Sequence, residues 1–347
     1  MNKRPKGLFY CRYFDSIFQP SLNICRSLIS EFDIDFLVEG SETNPLIKSP
    51  HFHQRSLPPI LSEDTYDFFI SEQFPFSTPE FAKEAEDLIN TLKHRNPRCA
   101  IICSLRDTTP LTPLGQEHKT LEFIQRLYDY VFVHTDSHLY KLEESFSFAD
   151  KIADKLVYTG FITNPNLEIE EKERKQRIVV SIGSGDFGEE LLYAAIEAAP
   201  FFLDYEFSLL TGQKIPNKIL AEMKILALKA GAENVSILPS VRKFEEYLSE
   251  SALSISLGGP TVVSVASTRT PAIILPSGIH DQYARRMKFS TSGFIKLIAT
   301  EDLATERFCS AIREALAMPP PAFEVDVSGA QTTLKEIKGS NISSTPQ

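Results

Sequence analysis

The feature that most restricts what this chain can fold into is a rhythm. Short runs that are apolar on both faces alternate with longer runs that are apolar along one stripe. Residues 8–11, 34–38, 66–71, 99–103, 130–134 and 156–159 read as strands in the first half, and 178–182, 205–210, 235–238, 253–257 and 272–275 in the second. Between them the spacing turns helical. Cys25, Leu28, Ile29 and Phe32 fall at i, i+3, i+4 and i+7, one stripe of a helix. A helix over 79–94 is opened by Thr78 as N-cap and Pro79 at its first position. Strands apolar on both faces need cover on both, so helical connections imply parallel sheets.

A polar, Glu/Lys-rich stretch over 164–176 breaks the rhythm before it restarts. The reading is an α/β chain of two tandem doubly wound Rossmann-like domains facing a cleft. The first covers 1–163, a linker 164–176, the second 177–325 and a tail 326–347. The tail reads as a short helix over 332–337 and a frayed Ser/Thr-rich end. A length of 347 residues suits two cores better than one. Residues 40–67 hold four prolines and read as structureless or as one short strand.

Composition excludes several classes. Apolar residues make up 42% and charged residues 24%, which excludes collagenous, disordered and coiled-coil chains. No run of 18 uncharged apolar residues offers a membrane span, and no apolar stretch of a secretory signal follows the basic start. A net charge of −10 argues against general nucleic-acid binding. The five cysteines (Cys11, Cys25, Cys99, Cys103, Cys309) are scattered. Cys99 and Cys103 lie in an apolar strand with no second pair to complete a zinc site, so they read as buried thiols in a reducing cytoplasm.

Ligands of open α/β sheets bind beyond the carboxyl ends of the strands, so the residues just after each strand carry the functional signal. In the second half Ser181-Ile182-Gly183-Ser184-Gly185-Asp186-Phe187-Gly188 runs from strand into helix. Small residues there let a phosphate reach backbone N–H groups at a helix start. The spacing of Gly183, Gly185 and Gly188 has the letters of a dinucleotide fingerprint. The next strand, however, ends in Thr211-Gly212 instead of an acidic residue. No Gly-Lys-Ser/Thr follows, so Walker A is absent. A second glycine turn, Gly258-Gly259-Pro260-Thr261, follows the strand over 253–257, and His280-Asp281-Gln282 precedes a basic helix.

This ordered series resembles the donor-binding half of glycosyltransferases of the GT-B fold, of the MurG-like, family 28 type. The first half resembles a group described as predicted glycosyltransferases, through Cys103-Ser104-Leu105-Arg106-Asp107, Val133-His134-Thr135-Asp136 and Tyr158-Thr159-Gly160-Phe161. The resemblance covers about residues 7–317. It implies a nucleotide-sugar donor, UDP favoured, with Gly183, Ser184 and Gly185 facing the pyrophosphate. Val241 would present its backbone to the nucleobase. Gly258, Gly259 and Thr261 would cradle the diphosphate, and Asp281 and Gln282 would meet the transferred sugar. His280, beside Asp281, either touches the donor phosphate or caps the helix that follows. Sugar transfer also needs the leaving diphosphate stabilised, for which helix N-termini and Arg285 or Arg286 are the candidates. Two departures stand out. The family's glycine- and histidine-bearing first loop is replaced by Asp15-Ser16-Ile17-Phe18-Gln19-Pro20, and its ribose-contacting acidic residue falls at Ser264.

The expectation is therefore a cytoplasmic, metal-independent, inverting transferase. It would move a hexose or N-acetylhexosamine to an unknown acceptor, without a cofactor. His134, at a strand end, and Asp107 are the candidate bases. A degenerate homologue that binds a nucleotide sugar or a partner without turnover is the alternative, and a nucleotide-sugar hydrolase or epimerase the third. No nucleic acid is expected as partner, and peripheral membrane contact stays open. Asp33-x-Asp35 and His51-x-His53 resemble metal motifs but read as a strand start and a loop. Phe69, Phe74, Phe76 and Phe81 read as core.

Overall fold

The computed structural model describes residues 4–11, 19–38, 47–55, 65–77, 81–106, 114–165, 173–183, 187–259, 261–276, 293–319 and 324–339. The chain forms two units. One comprises 1–166 and 326–347, the other 167–325.

Unit 1 is a seven-stranded, all-parallel sheet. Its strands are β1 (Lys6–Cys11), β2 (Asp33–Val38), β3 (Phe52–Arg55), β4 (Phe68–Glu72), β5 (Ala100–Arg106), β6 (Tyr130–His134) and β7 (Leu156–Tyr158), in the spatial order β3-β2-β1-β4-β5-β6-β7. Both faces of β1 are apolar because both are covered. Leu8 and Tyr10 enter a core shared with α2 (Ala82–Arg95) and α3 (Leu114–Leu127). Phe9 and Cys11 enter another, shared with α1 (Gln19–Leu28). The four phenylalanines expected in the core are there, each at most 4% exposed. Asp33 and Asp35 serve the fold. Lys6 Nζ lies 2.9 Å from the buried Asp35 carboxylate, and Tyr66 donates to it at 2.6 Å. His51 Nδ1 lies 2.7 Å from Asp33. All five cysteines are free and buried.

Unit 2 is a six-stranded parallel sheet. Its strands are β8 (Lys175–Ser181), β9 (Glu206–Leu210), β10 (Val235–Leu238), β11 (Ser251–Ser256), β12 (Ala272–Ile274) and β13 (Ile295–Leu297), in the order β10-β9-β8-β11-β12-β13. The apolar side chains of β8, β9 and β11 share one core with α4 (Glu189–Ala198) and α8 (Thr305–Leu316). The opposite face departs from the two-sided apolar expectation. Alternation puts Ser208, Ser254 and Ser256 there, all buried. These small side chains admit α6 (Phe244–Ser249), whose Tyr247 hydroxyl meets Ser208 at 2.9 Å. Two further helices of the unit lie among the described residues, α5 (Asn217–Ala230) and α7 (Thr261–Thr268).

The tail holds the helix read over 332–337, three residues longer at its start and two at its end. Residues Gly329–Gly339 form α9, which packs against α1 and buries Ala330 and Ile337 in the core of unit 1. The returning backbone is tied by four hydrogen bonds. Asp326 N–H donates to Asp136 Oδ2 at 3.0 Å, Phe161 N–H to the Asp326 carbonyl at 2.8 Å, Gly329 N–H to the Phe161 carbonyl at 3.1 Å, and Thr163 Oγ1 to the Val327 carbonyl at 3.0 Å. A Cβ at Gly329 would overlap the Gly160 carbonyl oxygen, a backbone atom that cannot swing aside. Gly329→Val should therefore lower the stability of unit 1 against urea by about 1–3 kcal/mol. Gly115→Ala, in a helix with open space around it, should raise stability by about 0.5–1 kcal/mol.

Candidate functional site

Each sheet has one point where the strand order reverses, and the diverging connections leave a crevice at the carboxyl ends of the two strands flanking it. In unit 2 that point lies between β8 and β11. The register pairs Ser181 with Ser256. Each serine is buried and accepts the N–H of the glycine two residues on: Gly183 onto Ser181 Oγ and Gly258 onto Ser256 Oγ, both at 3.4 Å. Two glycine turns distant in sequence thus leave the sheet side by side.

Their backbones need glycine. Gly183 has φ 76°, Gly258 φ 87° and Gly259 φ 67°, a region where L side chains are strained. A Cβ on Gly183 would meet no atom of the described residues within 4 Å. Gly188 differs. At φ 93° it caps α4, and a Cβ there would overlap Leu257. It lets the helix approach the end of β11.

The two helix starts are not equivalent for an anion. The first turn of α4 carries Glu189 and Glu190, whereas that of α7, opened by Thr261, carries no acidic residue. No acidic residue of its own first turn therefore offsets the positive end of the α7 dipole. Val241 lies in the turn from β10 to α6 and is half-buried. Ser184, Gly185, His280, Asp281 and Gln282, with Arg285 and Arg286, lie outside the described residues, as does Asp107.

In unit 1 the order reverses between β1 and β4, and a polar cluster that the sequence reading did not single out sits at those strand ends. Glu72 closes β4, with its side chain 6% exposed. It accepts from Arg106 Nε at 3.1 Å and Nη2 at 2.6 Å on one oxygen, and from the Cys11 thiol on the other. Burial and the Glu72 charge push the Cys11 thiol far up, so it stays protonated as a donor. The signal was available in principle, since Cys11, Glu72 and Arg106 are each the last residue of a strand.

His134 ends β6 and is 4% exposed. Its Nε2 lies 2.8 Å from Ser104 Oγ and its Nδ1 2.8 Å from Thr159 Oγ1. Burial, with a smaller contribution from the Arg106 charge, pulls its pKa down to about 3. The imidazole is thus neutral at physiological pH, as a base must be. An acceptor hydroxyl reaches it only through, or in place of, one of the two hydroxyls it already holds.

The depressed pKa has a pH signature. The unfolded chain binds a proton near 6.5 and the folded chain only near 3. The neutral ring thus favours the fold above pH 6.5, and that stabilisation is lost as the pH falls toward 3. From pH 7 to 4.5 the wild type should lose about 2–3 kcal/mol more stability than His134→Gln, measured by urea unfolding at both pH values.

No protein-family model matches the sequence, and no curated protein matches it. Solved structures do match, over nearly the whole chain. CalG4, the calicheamicin glycosyltransferase, is 11% identical with a TM-score of 0.65, over 99% of this chain and 100% of that one. MurG of Acinetobacter baumannii is 15% identical with a TM-score of 0.57, over 96% and 99%. The UDP-GlcNAc 2-epimerase of Methanocaldococcus jannaschii is 12% identical with a TM-score of 0.60, over 96% and 100%. At such identities the likeness is one of fold. The two parallel, helix-flanked sheets of this chain match the two Rossmann-like domains of GT-B glycosyltransferases.

Proposed function

We propose that this chain is a glycosyltransferase that takes its sugar from a nucleoside diphosphate, UDP favoured, bound at the carboxyl edge of unit 2. The observation that carries the reading is the pair of register-matched glycine turns at the β8–β11 reversal, one of them opening a helix whose first turn has no acidic residue. Backbone N–H groups at such a turn hold a diphosphate without a side-chain cation, which suits a chain of net charge −10.

In the reaction we propose, an acceptor hydroxyl attacks the anomeric carbon in a single displacement with inversion. A base takes its proton while the bond to the diphosphate breaks and the leaving charge falls on Gly258, Gly259 and the start of α7. Gly183, Ser184 and Gly185 would line the other wall, Val241 the nucleobase, and His280, Asp281 and Gln282 the phosphate and sugar. His134 would serve as base through Ser104 or Thr159, with Asp107 as the other candidate. A hexose or N-acetylhexosamine is the proposed cargo, no metal or cofactor is invoked, and the cytoplasm is the proposed compartment. No helix among the described residues is long and apolar enough to cross a membrane.

Binding without turnover is the second reading, favoured by the engagement of both ring nitrogens of His134. Thermal melting of the full chain with UDP, ADP, GDP and their sugars tests the donor assignment. A ligand at a hundredfold its Kd should add about 2.7 kcal/mol of stability. A shift confined to one nucleotide family is expected, and no shift with any of them would overturn the donor site. Incubation with the stabilising sugar nucleotide then separates the chemistries. Diphosphate release that depends on an added acceptor marks a transferase, and release without one a hydrolase. An altered sugar without release marks an epimerase, and no change of any kind the binding-only reading.

A further inference from the structure

Between the turn that holds Val241 and the glycine turn at Gly258 stands a carboxylate with no assigned role. Glu245 is the second residue of α6, and α6 packs against both β11 and α7. Its Oε1 accepts from Ser264 Oγ at 3.2 Å. Ser264 stands three residues after Thr261, about one turn along α7 from the end that would receive a phosphate and on the same side as Thr261. The neighbouring Glu246 is occupied elsewhere, since Lys243 Nζ lies 2.8 and 2.9 Å from its two oxygens. Glu245 accepts only the one bond from Ser264 among the described residues.

We infer that Glu245 is the pentose-reading residue of unit 2, its carboxylate accepting hydrogen bonds from the ribose hydroxyls of a bound nucleoside diphosphate. The inference rests on the reading of unit 2 as a nucleotide-sugar site. An ionised carboxylate only accepts hydrogen bonds, and a vicinal diol offers two O–H donors. Ser264 fixes one oxygen and so orients the group before the ligand arrives, which lowers the ordering cost of binding. The location suits a pentose. Phosphates at the start of α7 and a base against Val241 leave the sugar that joins them opposite the α6–α7 contact. Acidic residues read ribose hydroxyls in this way in other doubly wound nucleotide folds. Here the carboxylate comes from the helix beside the glycine turn's own helix, which supplies only the serine that holds it.

The test is calorimetric titration of the full chain with UDP, 2′-deoxy-UDP, ADP and GDP, on the wild type, Glu245→Gln and Ser264→Ala. A hydrogen bond to a charged group is worth roughly tenfold in affinity or more. The wild type should therefore prefer the ribonucleotide over its deoxy form by at least about tenfold. In Glu245→Gln the preference should fall severalfold, through weaker binding of the ribonucleotide, and Ser264→Ala should fall between the two. Equal binding of UDP and 2′-deoxy-UDP by the wild type, or an unchanged preference in Glu245→Gln, overturns the role of Glu245 and leaves the donor site standing. Absence of binding by any of the nucleoside diphosphates overturns the donor site and this inference together. If Glu245→Gln melts early without ligand, the wild-type comparison of ribose with deoxyribose decides alone.

Discussion

The pairing of Ser181 with Ser256 across β8 and β11 is the contact on which the rest of unit 2 depends. Parallel strands in this register end level, so the residues two positions beyond each serine emerge together. Because both are glycines in left-handed conformations, neither of these two residues puts a side chain into the crevice. A slip of one residue would turn the strand over and send its apolar set to the wrong face. The hydrophobic core on one side therefore enforces the alignment of the site at the end. The serine-lined opposite face contributes as well, since it lets α6 come down onto the sheet and beside α7, where Glu245 meets Ser264.

Unit 1 uses the same architecture with different chemistry at its strand ends. In place of glycine turns its reversal point holds Glu72, Arg106 and Cys11, and the next strand presents His134 between two hydroxyls. A carboxylate buried this far is tolerable only because a guanidinium and a thiol satisfy it. Removing Arg106 alone would strand a buried charge, so the cluster behaves as one unit. The imidazole next to it stays uncharged for the same reason, since burial and a nearby cation both oppose a second positive charge.

Two of the sequence motifs that supported the family resemblance also do structural work. Asp136, in the Val133–Asp136 run, accepts the Asp326 N–H, and Phe161, in the Tyr158–Phe161 run, exchanges two backbone hydrogen bonds with the returning chain. These contacts anchor the segment that carries α9 back onto α1. A motif therefore need not mark chemistry, even in a sheet whose strand ends carry it.

The sequence by itself determined the class of fold and most of its strands, because two-sided burial and helical spacing are written in the order of apolar residues. It determined which turns need glycine, because left-handed backbone excludes other side chains, and it marked the thiols as core. Tertiary structure decided what meets what. Gly183 with Gly258, Glu72 with Arg106 and Cys11, Glu245 with Ser264, and Asp136 with Asp326 are each brought together by strand order and helix packing over separations of 19 to 190 residues. β13 and the docking of α9 were hidden for the same reason, and β3 was one of two alternatives for residues 40–67. The three-residue β13 and a lone amphipathic helix carry too little pattern of their own to say what they pack against. Only the neighbour that covers each says where it belongs.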